Sequence, residues 1–197
     1  LQNREIVLAS SSPRRKMLLE QIGLRFTVDS AGDTVESNVG EYQKDPVSFV
    51  IKVSFLKAST VASRHPDALI IAADTIGYLD NMIIGKPETS EEAVDILRML
   101  NGRCHTVITG LTILDTRQKK YVSRSVETEV YFRKLTSEEI EAYVKSGEPM
   151  DKAGAYAIQG KGAVFIKKIC GDFYNVMGMP LYTLAECLKE FNLQIIK

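Results

Sequence analysis

Ile6-Val7-Leu8-Ala9-Ser10-Ser11-Ser12-Pro13-Arg14-Arg15 is the stretch that decides the fold class. Its apolar start, Ile6–Ala9, reads as a short buried strand and the serines as a turn. Ser12-Pro13 then reads as an N-cap followed by a proline at the first helical position, where the missing N–H costs nothing. The helix it opens carries Met17, Leu18 and Ile22 on one face and stops at Gly23, and Leu24–Val28 reads as a second strand. A strand feeding a helix that feeds a strand is the unit of an α/β protein.

Outward from that unit the alternation continues. Asp45-Pro46 opens a helix with Val47, Val50, Ile51, Ser54 and Ala58 spaced as a buried stripe. Ala68–Leu79 is a long strand, apolar until Asp74 and Thr75, and Asp80-Asn81 turns the chain into Met82–Ile84. Thr89 with Glu92 fits a capping box for a helix to Leu100, which Asn101-Gly102 stops. Strands near 104–116 and 120–133 flank a hairpin turn at Arg117-Gln118, and Thr136 with Glu139 caps a helix closed by Gly147. Gly147–Gly162 reads as a loop, Ala163–Ile169 as a strand, and a last helix begins near Pro180. The expected architecture is one α/β domain over 1–197: an elongated mixed β-sheet flanked by helices, in two lobes with a cleft between them.

Composition removes whole classes. With 45% apolar and 25% charged residues, the 197-residue chain matches an ordinary globular protein. Lys plus Arg and Asp plus Glu are 25 each, so no net charge draws the chain to nucleic acid or an anionic membrane; neither is an expected partner. The longest apolar run, Ala68–Ala73, is far short of the roughly 20 residues that span a bilayer. The sequence reaches strand-like residues by Ile6 with no leader-like apolar stretch before it. Three cysteines (Cys104, Cys170, Cys187) without a C-x-x-C pair argue against a disulfide framework and for a cytoplasmic, reducing location. With His65 and His105 the only histidines, a metal would be held mainly by oxygen, which favours Mg²⁺ or Mn²⁺.

Some residue types stand where chemistry needs them. Ser10, Ser12, Arg14 and Arg15 surround a helix N-terminus, whose unpaired N–H groups suit an anion; the alternative is a capped helix with two solvated arginines. No Walker pattern follows, which excludes a P-loop kinase or ATPase. Asp74 interrupts an apolar strand, and a carboxylate there needs a cation or a metal, or marks a capped strand end. Thr75 adds a hydroxyl beside it. Lys57 and Lys86 read alone as solvated lysines, although Gly85 and Pro87 fix the backbone around Lys86. Glu36 alone carries little information. His105 reads as structural, and Tyr156 as either core or a surface for stacking a base.

Leu8-Ala9-Ser10-Ser11-Ser12-Pro13-Arg14-Arg15, Ala73-Asp74-Thr75, Gly85-Lys86-Pro87, Gly102-x-x-His105-x-Val107-x-Thr109-Gly110 and Gly147-Glu148-Pro149-x-Asp151-Lys152-Ala153-Gly154-Ala155-Tyr156-x-Ile158-Gln159-Gly160 occur in that order. Together they resemble the Maf family of nucleoside triphosphate pyrophosphatases over nearly the whole chain. The resemblance implies a fold like that of inosine triphosphatase, hydrolysis of a nucleoside triphosphate to its monophosphate and pyrophosphate, and a divalent metal cation. It implies a proton-accepting Asp74, with Glu36, Lys57 and Lys86 in the catalytic set. Ser10, Ser12, Arg14, Arg15, Thr75 and Gln159 become substrate-binding residues, and Glu36 and Asp74 hold the metal. Where the family usually carries Asp-Glu in its loop, this chain has Val35-Glu36. The Tyr156-x-Ile158-Gln159-Gly160 ending resembles the subgroup acting on dTTP and UTP, a choice that Arg14, Thr75 and Gln159 track. A glutamine amide can pair with the N3–H and a carbonyl of uracil or thymine, and when flipped with cytosine. A homodimer is also implied. The rival reading is a non-catalytic nucleotide-binding regulator of cell division, which would need the cations but not Asp74.

Overall fold

The computed structural model describes residues 4–32 and 44–196. The strands are β1 (Glu5–Leu8), β2 (Thr27–Val28), β3 (Ala68–Leu79), β4 (Met82–Ile84), β5 (Cys104–Asp115), β6 (Lys120–Phe132) and β7 (Ile166–Cys170). The helices are α1 (Pro13–Gln21), α2 (Pro46–Ala62), α3 (Ser90–Leu100), α4 (Ser137–Lys145), α5 (Phe173–Val176) and α6 (Leu181–Lys189). The strands form one mixed seven-stranded sheet in the order β2-β1-β3-β5-β6-β7, with β4 also on β3. β1 runs parallel to β2 and β3; the other pairs are antiparallel.

β3 organises the molecule. One of its edges pairs with β5 from Leu69 to Tyr78. Its other edge is shared: β1 covers 68–71, with Leu8 opposite Ile71, and β4 covers 77–79, with Gly77 opposite Ile84. Between them, at 72–76, that edge has no strand partner among the described residues.

Strand alternation sends successive side chains of β3 to opposite faces. On one face α2 packs Ala58 and Val61 against Ala68, Ile70 and Ala72, and Phe49, Val50 and Val53 against Ile76. Gly110 permits this approach: a Cβ there would lie 2.2 Å from the Val50 carbonyl oxygen. On the other face Leu69, Ile71 and Ala73 join Leu18 of α1 and Leu184 of α6, while Leu79 joins Leu97 of α3 and Ile140 of α4. Both faces therefore carry an apolar core at each end of the long strands and polar side chains between: Asp74 on the α2 face, Thr75 and Thr109 on the other. The cleft lies at that interruption.

The structure corrects several expectations. In α1 the buried residues are Leu18 and Leu19, and Met17 is exposed, because the core-facing arc is centred one residue later than read. Ser12 precedes α1, but its side chain makes no cap. In α2, Val47 and Ile51 are only half-buried while Phe49, Val53, Lys57 and Val61 are buried. The Thr89 side chain does cap α3, but the Glu92 carboxylate takes the N–H of Glu88 rather than closing the box on Thr89. β2 is confined to Thr27–Val28, and Ala163–Phe165 belong to a 3₁₀ turn rather than to β7. The one-turn α5, capped by the Asp172 carboxylate on the N–H groups of Tyr174 and Asn175, is too short to leave a periodic signal.

Candidate active site

A cleft of about 790 Å³ opens along the unpaired edge of β3. Ser10, Ser12, Arg14 and Arg15 line it from the β1–α1 turn, Lys57 from α2, Asp74 and Thr75 from β3, Lys86 from the segment after β4, and Gln159 from the Gly147–Gly162 segment. Residues more than 140 positions apart in the chain, Ser10 and Gln159 among them, are thereby gathered around one hollow. Glu36 lies outside the described residues.

Asp74 and Lys57 are both nearly buried, at 6% and 8% exposure. The Lys57 Nζ donates to Asp74 Oδ1 at 2.8 Å. Burying either charge alone would cost several kcal/mol, roughly, and the pairing offsets that cost. Oδ2 takes no hydrogen bond from the described residues. The buried-pair and cleft-lining readings of Asp74 thus hold at once.

On the opposite face of β3 the Arg15 guanidinium acts as a brace. Its Nε donates to the Gly178 carbonyl at 2.8 Å, Nη1 to Ser10 Oγ at 3.2 Å and Nη2 to Thr75 Oγ1 at 3.1 Å. Ser10 Oγ also accepts the Ser12 N–H, and Thr75 Oγ1 shares a 2.9 Å bond with Thr109 Oγ1. Thr109 in turn donates to the carbonyl of the buried Asn175. Arg15 therefore holds Ser10 and Thr75 as much as it adds charge. With no side-chain cap at Ser12, the first-turn N–H groups of α1 stand at the cleft ready for an anion.

The far wall is three 3₁₀ turns, Glu148–Asp151, Ala153–Ala155 and Lys161–Phe165. The Gly85 carbonyl accepts the Gly154 N–H, tying this wall to β4. Lys86 and Gln159 are exposed on the rim, and Arg14 reaches Asp151 across the cleft at 3.9 Å. Tyr156 lines the floor and is nearly buried; its hydroxyl pairs with His105 Nε2 at 2.9 Å, and its ring packs edge-on against Phe132. Burial pushes His105 down to about 4, so it is neutral at pH 7 and structural, with Nδ1 lacking a partner among the described residues.

The profile of the Maf family, described as Maf-like protein, matches residues 5–191. This chain belongs to the Maf family. A protein of Alkaliphilus metalliredigens named dTTP/UTP pyrophosphatase is 49% identical over 97% of this chain and 98% of its own length. Proteins of the same name from Dictyoglomus turgidum and Bacillus cereus are each 44% identical over 98% of this chain, covering 99% and 98% of their own lengths. A nucleoside-triphosphatase / dITP/XTP pyrophosphatase of Mycobacterium abscessus aligns in structure with 65% of this chain and 74% of its own, at 10% identity and a TM-score of 0.43. The family assignment does not rest on it.

The Maf cleft concentrates positive charge that the whole chain lacks. Arg14, Arg15, Lys57, Lys86 and Lys152 line it against Asp74, Glu88 and Asp151, while the chain's formal net charge is zero. The described residues hold no cluster of three or more metal-ligating side chains. Asp74 Oδ2, which takes no hydrogen bond from the described residues, is a hard oxygen donor of the kind that binds a divalent cation alongside phosphate oxygens and water. Among the described residues no helix is long and apolar enough to cross a membrane. Sequence reasoning missed Tyr143, and gave Glu148 no role although it stands in a quoted motif; the side chains of both reach the site through backbone N–H groups of the far wall.

Proposed function

We propose that this Maf protein hydrolyses dTTP and UTP to the nucleoside monophosphate and pyrophosphate, with a divalent cation, Mg²⁺ or Mn²⁺, held by Asp74 and Glu36. The observation that carries the reading is the buried Asp74 carboxylate, paired on one oxygen with Lys57, inside a cleft whose described lining is cationic in a chain of zero net charge. The names of the relatives at 44–49% identity support the substrate class.

The triphosphate lies along the cleft with its oxygens toward Arg14, Lys86, the Ser10 and Ser12 hydroxyls and the α1 N-terminus, which neutralise charge on the phosphates and on the leaving pyrophosphate. Lys57 fixes Oδ1 of Asp74; Oδ2 accepts the proton of the water whose oxygen attacks the α-phosphorus as the α–β bridging bond breaks. Arg15 keeps Ser10 and Thr75 in register with that path. Gln159, on the far wall, reads the base through its amide. The cation supplies further neutralisation of the phosphate oxygens when bound. We place the activity in the cytoplasm, where nucleoside triphosphates are pooled.

The test is pyrophosphate release from a panel of canonical and modified nucleoside triphosphates with Mg²⁺ or Mn²⁺. Release from dTTP and UTP above the other nucleotides is expected. Tight binding without turnover would replace this reading with the regulator, which has no use for a buried Asp74.

A further inference from the structure

We propose that the Tyr143–Glu148 pair is the device that positions Gln159, making Glu148 a specificity-determining residue that never touches the nucleotide. The inference rests on the reading of Gln159 as the base reader. Neither Tyr143 nor Glu148 lines the cleft, yet between them they anchor both ends of the segment that carries Gln159. The Tyr143 hydroxyl accepts the Ala157 N–H at 3.0 Å and donates to Glu148 Oε1 at 2.9 Å. Glu148 then accepts the Gly162 N–H on Oε1 and the Lys161 N–H on Oε2, each at 3.1 Å. Ile158, Gln159 and Gly160 arch between these anchors.

The arrangement needs an ionised carboxylate, because both oxygens face donors. Burial works against that charge, but the Gly162 and Lys161 N–H groups and the Tyr143 hydroxyl overcome it and hold the Glu148 carboxyl below its ordinary range. Gly160 is part of the design: at φ 116° it adopts a backbone that disfavours other residues, and a Cβ there would lie 2.8 Å from Glu148 Oε2. Tyr143 is itself fixed, with its ring buried edge-on against Phe165 at 4.8 Å. The arch is thus set by a rigid core tyrosine and one carboxylate, and loosening either lets the Gln159 amide wander while the phosphate end of the cleft is unaltered.

The experiment compares wild type, Glu148→Gln and Tyr143→Phe for kcat and KM on dTTP, UTP and dCTP. It also measures the inhibition constant of inorganic tripolyphosphate, which has no base to read. Glu148→Gln keeps the shape but turns an amide N–H₂ toward a backbone donor; Tyr143→Phe keeps the core ring and guards against a variant that fails to fold. For Glu148→Gln the dTTP-over-dCTP preference in kcat/KM should narrow about tenfold through KM, with kcat within about threefold and tripolyphosphate inhibition within about twofold, the pattern of lost substrate positioning. Tyr143→Phe should move the same way by less. An unchanged preference in both variants overturns the inference, as does a parallel loss in kcat, KM and tripolyphosphate inhibition. A wild type that cleaves dTTP and UTP but no better than dCTP overturns it alone. A wild type that releases no pyrophosphate from dTTP or UTP overturns the proposed function and this inference with it.

Discussion

The two walls of the cleft are built on different principles. The wall that carries Asp74, Lys57, Thr75 and Arg15 is made of a central strand and two helices, and strand register with helix packing decides where each side chain stands. The wall that carries Gln159 and Asp151 is a run of 3₁₀ turns whose shape is set by side chains, Tyr143, Glu148 and Lys152, bonded to backbone groups. Under the proposed mechanism the bond-breaking groups sit on strand and helix, and the base-reading group sits on a frame that a few substitutions could reshape.

Breaking the rigid wall should have the largest effect. Asp74→Asn should lower kcat for pyrophosphate release by about 10²–10⁴-fold, the usual worth of a positioned general base. The same change breaks the buried Lys57–Asp74 ion pair, at a cost of about 3–5 kcal/mol, so the melting temperature should fall although circular dichroism still reports a folded chain. Joining Lys57→Met to Asp74→Leu should restore most of that stability and none of the activity. Full activity in Asp74→Asn would remove Asp74 from the mechanism.

The far wall should show its weakness in acid. Burial depresses His105 beneath Tyr156 to about 4. Between its unfolded value near 6.5 and about 4, the unfolded chain binds a proton that the folded chain refuses. Stability from this residue is therefore full above pH 6.5 and falls as pH falls, by roughly 3 kcal/mol at the lower end. His65 works the other way: its bond to Asp29 raises its pKa, so its contribution is full below 6.5 and fades as pH rises through that raised value. Urea unfolding at pH 7 and pH 4.5 separates them, because His105→Phe should lose less stability across that interval than wild type. Equal losses would place the acid sensitivity elsewhere.

The same contrast governs what the sequence discloses. β3, β4, β5, β6 and the caps of α2 and α4 can be read to within a residue or so, because long apolar runs, turn pairs and capping residues are local signals. The gathering of Ser10, Arg14, Arg15, Asp74, Lys86 and Gln159 is legible through the resemblance of their motifs. The Lys57–Asp74 pair is not: two residues 17 positions apart on a helix and a strand meet only because α2 lies on the even-numbered face of β3. Ala163–Phe165 looks like strand by composition, but Glu148 captures the preceding Lys161 and Gly162 N–H groups and winds the segment into a 3₁₀ turn. Nothing local in Tyr143 announces that its hydroxyl holds Ala157.

The smallest effect should come from Arg14–Asp151, the one ion pair among the described residues that joins the two walls. Arg14 Nη1 and Asp151 Oδ2 lie 3.9 Å apart, and the Asp151 side chain is 66% exposed. Burial works against the Asp151 charge, but the neighbouring Lys152 ammonium and then Arg14 hold the carboxyl below its ordinary range, so it stays ionised at neutral pH. An exposed pair of this kind contributes about 0–1 kcal/mol to stability, so Asp151→Asn should leave the melting temperature nearly unchanged. Its effect on binding has the opposite sign, because a triphosphate must take Arg14 from Asp151 and approach a fixed negative charge. Asp151→Asn should lower KM for dTTP about two- to threefold at low ionic strength, and the gain should shrink as added salt shortens the Debye length to a few ångströms, about 3 Å at 1 M. A rise in KM would instead make Asp151 a contributor to substrate binding, and the far wall would then hold more than the base.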